Sequence, residues 1–462
     1  MNDIGLYGLG VMGQSLARNI ARNGYPISVY NIEKEVTAEV TQKYPQLDGY
    51  EDLNEFVGSL KKPRKIILMV TAGTVVDKVC DSLVPLLEEG DILIDCGNSF
   101  YKDTERRQKI LSESGIYLIG SGVSGGEKGA LEGPSIMPSG DAEAYAQIQD
   151  IFTSMAAVNP DGTRCCTYIG NGGSGHFVKM VHNGIEYADM QLIAEFYAIF
   201  KKLYSCDHDA ITQVFQQLNK GDLSSYLLDI TAAILQHKED GDYLLDHVLD
   251  VAKQKGTGKW TAQAALDYGI AVPSLLEAVQ ARFLSCQKDE RIAAERMYGN
   301  KRDSAMDSKE VLACIEKCML LAKTSIYAQG FSLMQVVSDD RGYQINQLGL
   351  SVIWQNGCII KSEFLKKIGE AYKKDPDVKN LLLSEVFHPM VEECREAAAT
   401  VLRYAQEHGL YTPVLSSAVQ YINGYTTANL ETNLIQAQRD CFGAHTYQRI
   451  DQEGVFHSEW ME

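Results

Sequence analysis

The stretch IGLYGLGVMG, residues 4–13, constrains how the chain can begin to fold. A short apolar run leads into Gly8, Gly10 and Gly13 in GxGxxG order, and a helical pattern follows to about Asn23. The first glycine permits a tight turn, the second lets backbone approach a pyrophosphate, and the third lets helix and strand pack closely. The motif follows one strand, opens a helix and precedes a second strand ending near Tyr30, so it predicts a dinucleotide site. Its expected contacts are Gly8, Gly10, Val11, Met12 and Gly13 in the turn, Asn31, Ile32 and Glu33 after the second strand, and Val70, Thr71 and Ala72 after the third.

Residues 1–174 alternate β-rich runs with helical patterns, which predicts a Rossmann-type α/β domain, a parallel sheet covered on both faces. Strands are expected at 4–7, 27–30, 65–70, 91–95, 116–119 and 166–169. After GNGGSG the pattern changes to long helical segments such as 181–203 and 312–337, predicting a large all-α domain over 175–428. The tail, 429–462, carries QAQRDCFGAHTY and EGVFHSEW, aromatic and basic with neither period. Left free it would hold its aromatics in water, so it is expected to dock on a partner surface.

Composition narrows the function classes. With 462 residues and 45% apolar content there is ample material for buried cores. No apolar run approaches the roughly 18 residues a membrane span needs, and MNDIGLYGLG enters a strand at once, so a cytoplasmic protein without membrane partners is expected. Eleven scattered cysteines, without histidines at zinc spacing, point to reduced thiols and no metal. A net charge of −18 argues against nucleic acid and would repel an anionic substrate, so any anion site must be a local basic cluster.

Two stretches bear on chemistry. In HFVKMVHNGIEYADM, Lys179, His182, Asn183 and Glu186 share one helical face, opposite an apolar stripe of Val178, Val181, Ile185 and Ala188. Periodicity alone favours a solvated face for those four. In VYNIEKE, Glu33 would repel a 2′-phosphate and accept ribose hydroxyls, which tilts the coenzyme toward NAD, although Lys34 is near enough to blur the choice.

GLGVMG, DCGNS (95–99), SGVSGGEKGA (121–130), KMVHNGIEY, KGTGKWT (255–261) and QAQRDCFGAH (436–445) together closely resemble the motifs of the decarboxylating 6-phosphogluconate dehydrogenases, in family order. The resemblance implies oxidation of 6-phosphogluconate to ribulose 5-phosphate and CO2 with reduction of NAD or NADP, without a metal. It implies that Lys179 takes the C3 hydroxyl proton and that Glu186 helps protonate the enediol. It places Ser124, Gly125, Gly126, His182 and Asn183 at the substrate carboxylate and hydroxyls, and Asn98 between coenzyme and substrate. Tyr187, Lys255, Thr257 and Arg282 fall at the phosphate, and Arg439 and His445 at the same substrate from the neighbouring subunit of a homodimer. The chemistry suits these types: a lysine base needs its pKa well below about 10.4, and once protonated it can polarise the new ketone.

The chain departs from the usual family pattern at Cys96 in DCGNS, Lys128 in GGEKGA and Ala188 in EYADM. NIE also stands where NRT is usual, so Ile32 replaces the arginine that reads NADP. Two other readings stay open here: a 3-hydroxyacid dehydrogenase acting on a small unphosphorylated substrate, and a non-catalytic dinucleotide-binding regulator.

Overall fold

The computed structural model describes residues 1–254, 256–299 and 306–461. Seven strands form one sheet: β1 (Ile4–Tyr7), β2 (Ile27–Tyr30), β3 (Asp48–Tyr50), β4 (Lys65–Leu68), β5 (Ile92–Asp95), β6 (Tyr117–Val123) and β7 (Ile136–Ser139). Their order is β3-β2-β1-β4-β5-β6-β7. All neighbours are parallel except the β6/β7 pair. β1 and β5 are buried throughout, as expected of strands covered on both faces. The order reverses beside β1, so the crevice at the carboxyl ends of β1, β2 and β4 is where such a sheet takes a ligand.

Two strand assignments differ from the sequence expectation. Residues 166–169 form no strand, and Cys166 makes only an isolated bridge to Ile136. The seventh strand is instead IMPS, whose proline sits on an edge strand where its missing N–H is tolerated. β3 also escaped the pattern, being three half-exposed residues on the opposite edge.

A 30-residue helix, Ser174–Leu203, begins where the sheet ends and runs through the second domain as its axis. It starts two turns earlier than the 181–203 expected, because Gly175 is a packing residue inside the helix and not a linker glycine. A Cβ at Gly175 would meet Met137 O at 2.2 Å and Gly120 O at 2.7 Å, so glycine is what lets this helix seat against β6 and β7. The second long helix, Ser308–Arg341, packs along it. Buried polar contacts fix the pairing. Lys323 Nζ and Tyr327 OH reach Asp189 Oδ2 at 2.8 and 3.1 Å, and Glu195 accepts from the backbone N–H groups of Val414 and Leu415, the first turn of helix Pro413–Tyr425. Glu195 thereby satisfies donors that a helix start leaves unpaired. Arg341 bonds Glu105 at 2.6 Å, joining the helical domain to the sheet domain.

The tail holds a helix that periodicity did not reveal, Thr432–Gly443. Its apolar residues Leu434, Ile435 and Phe442 are exposed, so no packed face within the chain imposes a helical period on the sequence. Among the described residues no helix is long and apolar enough to cross a membrane, and no cluster of side chains could hold a metal ion.

Candidate active site

The face carrying Lys179 is not solvated. Lys179 and His182 are buried, and Asn183 and Glu186 are partly covered; β6 and its following loop lie over Lys179, and Thr257 meets Asn183. Gly122 in β6 makes the approach possible: a Cβ there would lie 2.5 Å from Lys179 Cβ. Lys179 Nζ donates to Ser124 Oγ at 3.1 Å and stands 3.4 Å from His182 Nδ1. The same Nδ1 is 3.3 Å from Asn183 Oδ1 and 3.7 Å from Glu186 Oε2. Asn183 in turn donates to Thr257 Oγ1 at 3.0 Å. One helix face, the loop after β6 and the start of helix Thr257–Asp267 therefore converge on a single set of polar groups.

Crossing glycines set this convergence. A side chain at Gly184 would strike Thr261 Cγ2 at 2.7 Å, and one at Gly258 would strike the Tyr187 ring at 2.6 Å. At the other rim Gly125, with φ of +109°, packs against Gly357 O, where a Cβ would come to 2.8 Å. Gly126 also has positive φ, at +64°, so this stretch of backbone is available for close approach to a ligand. Arg282 lies with its guanidinium 3.5 Å from the Tyr187 ring centroid and donates to Lys253 O, a cation held by stacking beside Tyr187.

Burial sets the electrostatics. Desolvation pulls Lys179 below the ordinary lysine range, opposed by the nearby Glu186 carboxylate. Desolvation also raises Glu186, with Lys179 and Arg282 pulling the other way. His182 is pushed well below its usual value, first by burial and then by the Lys179 charge. The ring is therefore neutral, and its contact with Glu186 is not an ion pair. A lysine shifted toward neutrality and a carboxyl shifted toward its acid form, on one face, are suited to taking one proton and giving another.

The dinucleotide cleft is a cavity of about 420 Å³ lined by Gly8, Gly10, Asn31, Ile32, Glu33, Val70 and Thr71 among others. The glycines fit such a ligand. A Cβ would fall 2.4 Å from Met69 O at Gly8 and 1.9 Å from Gly8 O at Gly13, whereas Gly10 faces open space that a pyrophosphate could use. Met12 packs on the sheet core, and Val11 and Ala72 each adjoin a lining residue. Leu9 N–H donates to Asn31 Oδ1, and Asn31 Nδ2 donates to Glu33 Oε2 at 2.6 Å, so the carboxylate is held beside the carboxyl end of β2. Asn98 is exposed on a loop shaped by Asp95, which accepts from Gly97 N–H and Ser99 Oγ.

Not every expected residue joins the cluster. Lys255 lies outside the described residues. Arg439 donates to Gln436 and the His445 ring packs edge-on against Phe442, all within the tail. That tail is folded around Asp440, which accepts from Thr446 N–H, His457 Nδ1, Ser458 N–H and Trp460 Nε1. Sequence reading missed Trp354, whose ring meets His182 edge-on at 5.4 Å, and Cys358, close enough for the Lys179 charge to act on its thiol. No motif flags either, since they lie beyond residue 350 and reach the site only through the fold. Cys96 is buried and its thiol held well above the usual range, chiefly by desolvation, which makes it an inert packing residue.

A Rossmann cleft on the same sheet that shields a desolvated lysine defines a dinucleotide-dependent dehydrogenase. The family model for the NAD binding domain of 6-phosphogluconate dehydrogenase matches residues 3–170, and that for the 6-phosphogluconate dehydrogenase C-terminal domain matches residues 175–460. The chain belongs to the 6-phosphogluconate dehydrogenase family. It is 49% identical to a decarboxylating 6-phosphogluconate dehydrogenase of Staphylococcus aureus (strain Mu50 / ATCC 700699) and 48% identical to one of Escherichia coli (strain K12), over 99% of each chain. It also superposes on 6-phosphogluconate dehydrogenase of Plasmodium falciparum with a TM-score of 0.96 at 40% identity, covering 99% of this chain and 100% of that one. That protein was solved with NADP+ and with 6-phosphogluconate.

A stability consequence follows from the buried amine. Its folded pKa is depressed, so the folded state binds the proton more weakly than the unfolded chain, and holding the ammonium costs stability at all pH values below that folded pKa. The cost fades as pH rises toward the unfolded value near 10.4. Lys179→Met should therefore raise the thermal midpoint at pH 7, and the gain should shrink as pH approaches 10. Thermal melts across pH check this; a lowered midpoint at pH 7 would contradict it.

Proposed function

We propose that the chain oxidises 6-phosphogluconate at C3 and releases CO2 and ribulose 5-phosphate, reducing a nicotinamide dinucleotide. The observation that carries this is the juxtaposition of Lys179 with Ser124 and, on the same helix face, with Glu186. A nicotinamide dinucleotide held at Gly8, Gly10 and Gly13 would supply the acceptor for the C3 hydride. Neutral Lys179 takes the proton of the C3 hydroxyl as the hydride leaves, and its ammonium then polarises the C3 ketone. The C1–C2 bond breaks, the carboxylate leaves as CO2 and the electron pair forms a C2–C3 enediol. Having given its proton to the C3 oxygen to complete the enediol, Lys179 takes that proton back as the ketone forms at C2 of the product, while Glu186 supplies the proton to the carbon that becomes C1.

The remaining expected residues hold the substrate. Ser124, Gly125, Gly126, His182 and Asn183 meet the carboxylate and hydroxyls, with Asn98 between sugar acid and coenzyme. Tyr187, Thr257, Arg282 and Lys255 meet the phosphate, as a local basic cluster must in a chain of net charge −18. Arg439 and His445 complete the same site from a second copy. Support for that exchange is the exposed Leu434, Ile435 and Phe442 of the tail helix, together with an apolar-walled cavity of about 1040 Å³ lined by Leu249, Leu284 and Tyr298. Leu284 belongs to the helix that carries Arg282, so a tail seated there would come near the phosphate end. Eleven unpaired cysteines suit a reducing compartment, the cytoplasm.

For the coenzyme, NAD is favoured. Ile32 offers no charge to a 2′-phosphate, and Glu33 presents a carboxylate at that end of the cleft. The test is a coupled assay of CO2 release and nicotinamide reduction with each coenzyme at limiting concentration. Wild type should favour NAD, and Ile32→Arg should shift the ratio of kcat/KM toward NADP by about 10- to 100-fold, the worth of one charged hydrogen bond. Native preference for NADP would overturn this assignment. In the same assay Lys179→Ala should lose at least about 10²-fold in turnover while still binding coenzyme.

Tail exchange is checked by complementation. Homodimers of Lys179→Ala and of Arg439→Ala should both be nearly inactive, whereas their mixed dimer rebuilds one intact site and regains activity. Failure to regain it when mixed dimers are verified would contradict exchange.

A further inference from the structure

The loop after β4 lines the coenzyme cleft and the loop after β5 lies against it; the sheet bonds the first residue of each, through Met69 N–H to Tyr7 O and Cys96 N–H to Leu68 O. One buried side chain reaches both. Arg107, on helix Tyr101–Ser112, donates from Nη2 to Gly73 O at 2.8 Å and from Nε to Asp77 Oδ1 at 2.7 Å. Its Nη1 stands 3.8 Å from Asp95 Oδ2. Gly73 closes the loop that begins with Val70 and Thr71, two lining residues of the cleft. Asp77 lies on helix Thr74–Leu83, which presents Val75, Lys78 and Val79 to the same cleft. Asp95 is the residue whose carboxylate shapes Gly97–Ser99 and so presents Asn98. The two loops touch, since a Cβ on Gly97 would come to 3.1 Å from Val70 O.

The same helix also reaches the helix that carries Lys179. Thr104 Oγ1, one turn before Arg107, is 2.7 Å from His176 Nδ1, and His176 sits one turn before Lys179. Helix Tyr101–Ser112 thus spans from the coenzyme loops to the lysine. A buried guanidinium between two carboxylates is not demanded by stability, because apolar replacements of such sets are often as stable or more so. What a planar fork supplies is fixed geometry to several acceptors at once.

We propose that Arg107 is a positioning residue for hydride transfer: it clamps the loops after β4 and β5 and thereby sets the distance between the nicotinamide and the substrate held at Lys179. The assignment rests on the dehydrogenase reading above. A lysine at 107 keeps the charge but cannot serve Gly73 O, Asp77 and Asp95 together. Displacements near 1 Å at a reacting centre cost on the order of 10²-fold in rate.

The experiment compares wild type, Arg107→Lys, Asp77→Asn and Arg106→Met, each with 6-phosphogluconate carrying hydrogen or deuterium at C3. Arg107→Lys should lower kcat by roughly 10- to 100-fold, raise KM for the coenzyme, leave KM for the sugar acid within about twofold, and enlarge the deuterium isotope effect on kcat. Asp77→Asn, which removes a charge at the protein's rim and not in its interior, should move the same quantities in the same direction by less. Arg106→Met should leave them nearer wild type than Asp77→Asn does, since Arg106 is half-exposed and its ion pairs, to Asp77 and Asp103, are with carboxylates open to solvent. Wild-type isotope effect and coenzyme KM in both Arg107→Lys and Asp77→Asn would overturn the proposal. So would a loss that active-site titration traces wholly to fewer folded molecules with unchanged constants. A wild-type enzyme that fails to oxidise 6-phosphogluconate would instead overturn the dehydrogenase reading on which the assignment depends.

Discussion

The structure depends on one costly act, the removal of the Lys179 amine from water. Desolvation disfavours the ammonium, so the fold must hold this side chain against its preference for solvent. It does so by laying β6 over the first turns of helix Ser174–Leu203, an approach that requires Gly122 on the strand and Gly175 on the helix. From that contact the remaining geometry follows. Ser124 at the end of β6 falls within bonding distance of the amine, and the loop beyond it carries Gly125 and Gly126 to the rim. A lysine shifted down by burial beside a carboxyl shifted up by burial is the electrostatic arrangement that removal of one proton and delivery of another calls for.

A helix asked to hold that face so firmly needs anchoring along its length. Asp189 engages Lys323 and Tyr327 on the neighbouring long helix, and Glu195 caps helix Pro413–Tyr425. Both carboxylates are buried, and burial raises Glu195 to about 7 despite the backbone donors it accepts. The polar side chains of this helix thus divide into two groups: those near its start face the cleft, and those further along bind other helices. Breaking a buried set of this kind by removing one partner is strongly destabilising, which keeps the register of the helix fixed relative to the sheet.

Much of this was legible in the chain, for reasons that can be named. GLGVMG sits between a strand and a helix, and its steric demands at Gly8 and Gly13 are those that the turn imposes. Offsets of three, four and seven correctly put Lys179, His182, Asn183 and Glu186 on one face. Periodicity misjudged that face as wet, because it registers only alternation of apolar and polar groups and not whether a polar set is covered. The strand IMPS was hidden by its proline, and the tail helix by the absence of a packed face in its own chain. Trp354 and Cys358 could not be found from spacing, since they approach His182 and Lys179 from a connecting segment more than 170 residues away.

The chemistry therefore turns on the proton of one buried amine. Lysines labelled with 13C at Cε can be titrated by NMR in the intact enzyme, with the Lys179 signal assigned through its loss in Lys179→Arg. Burial predicts that this signal titrates clearly below the ordinary lysine midpoint near 10.4, while exposed lysines do not. A Lys179 signal that titrates at or above that value would show the amine to be solvated or firmly paired as an ammonium, and would contradict the account.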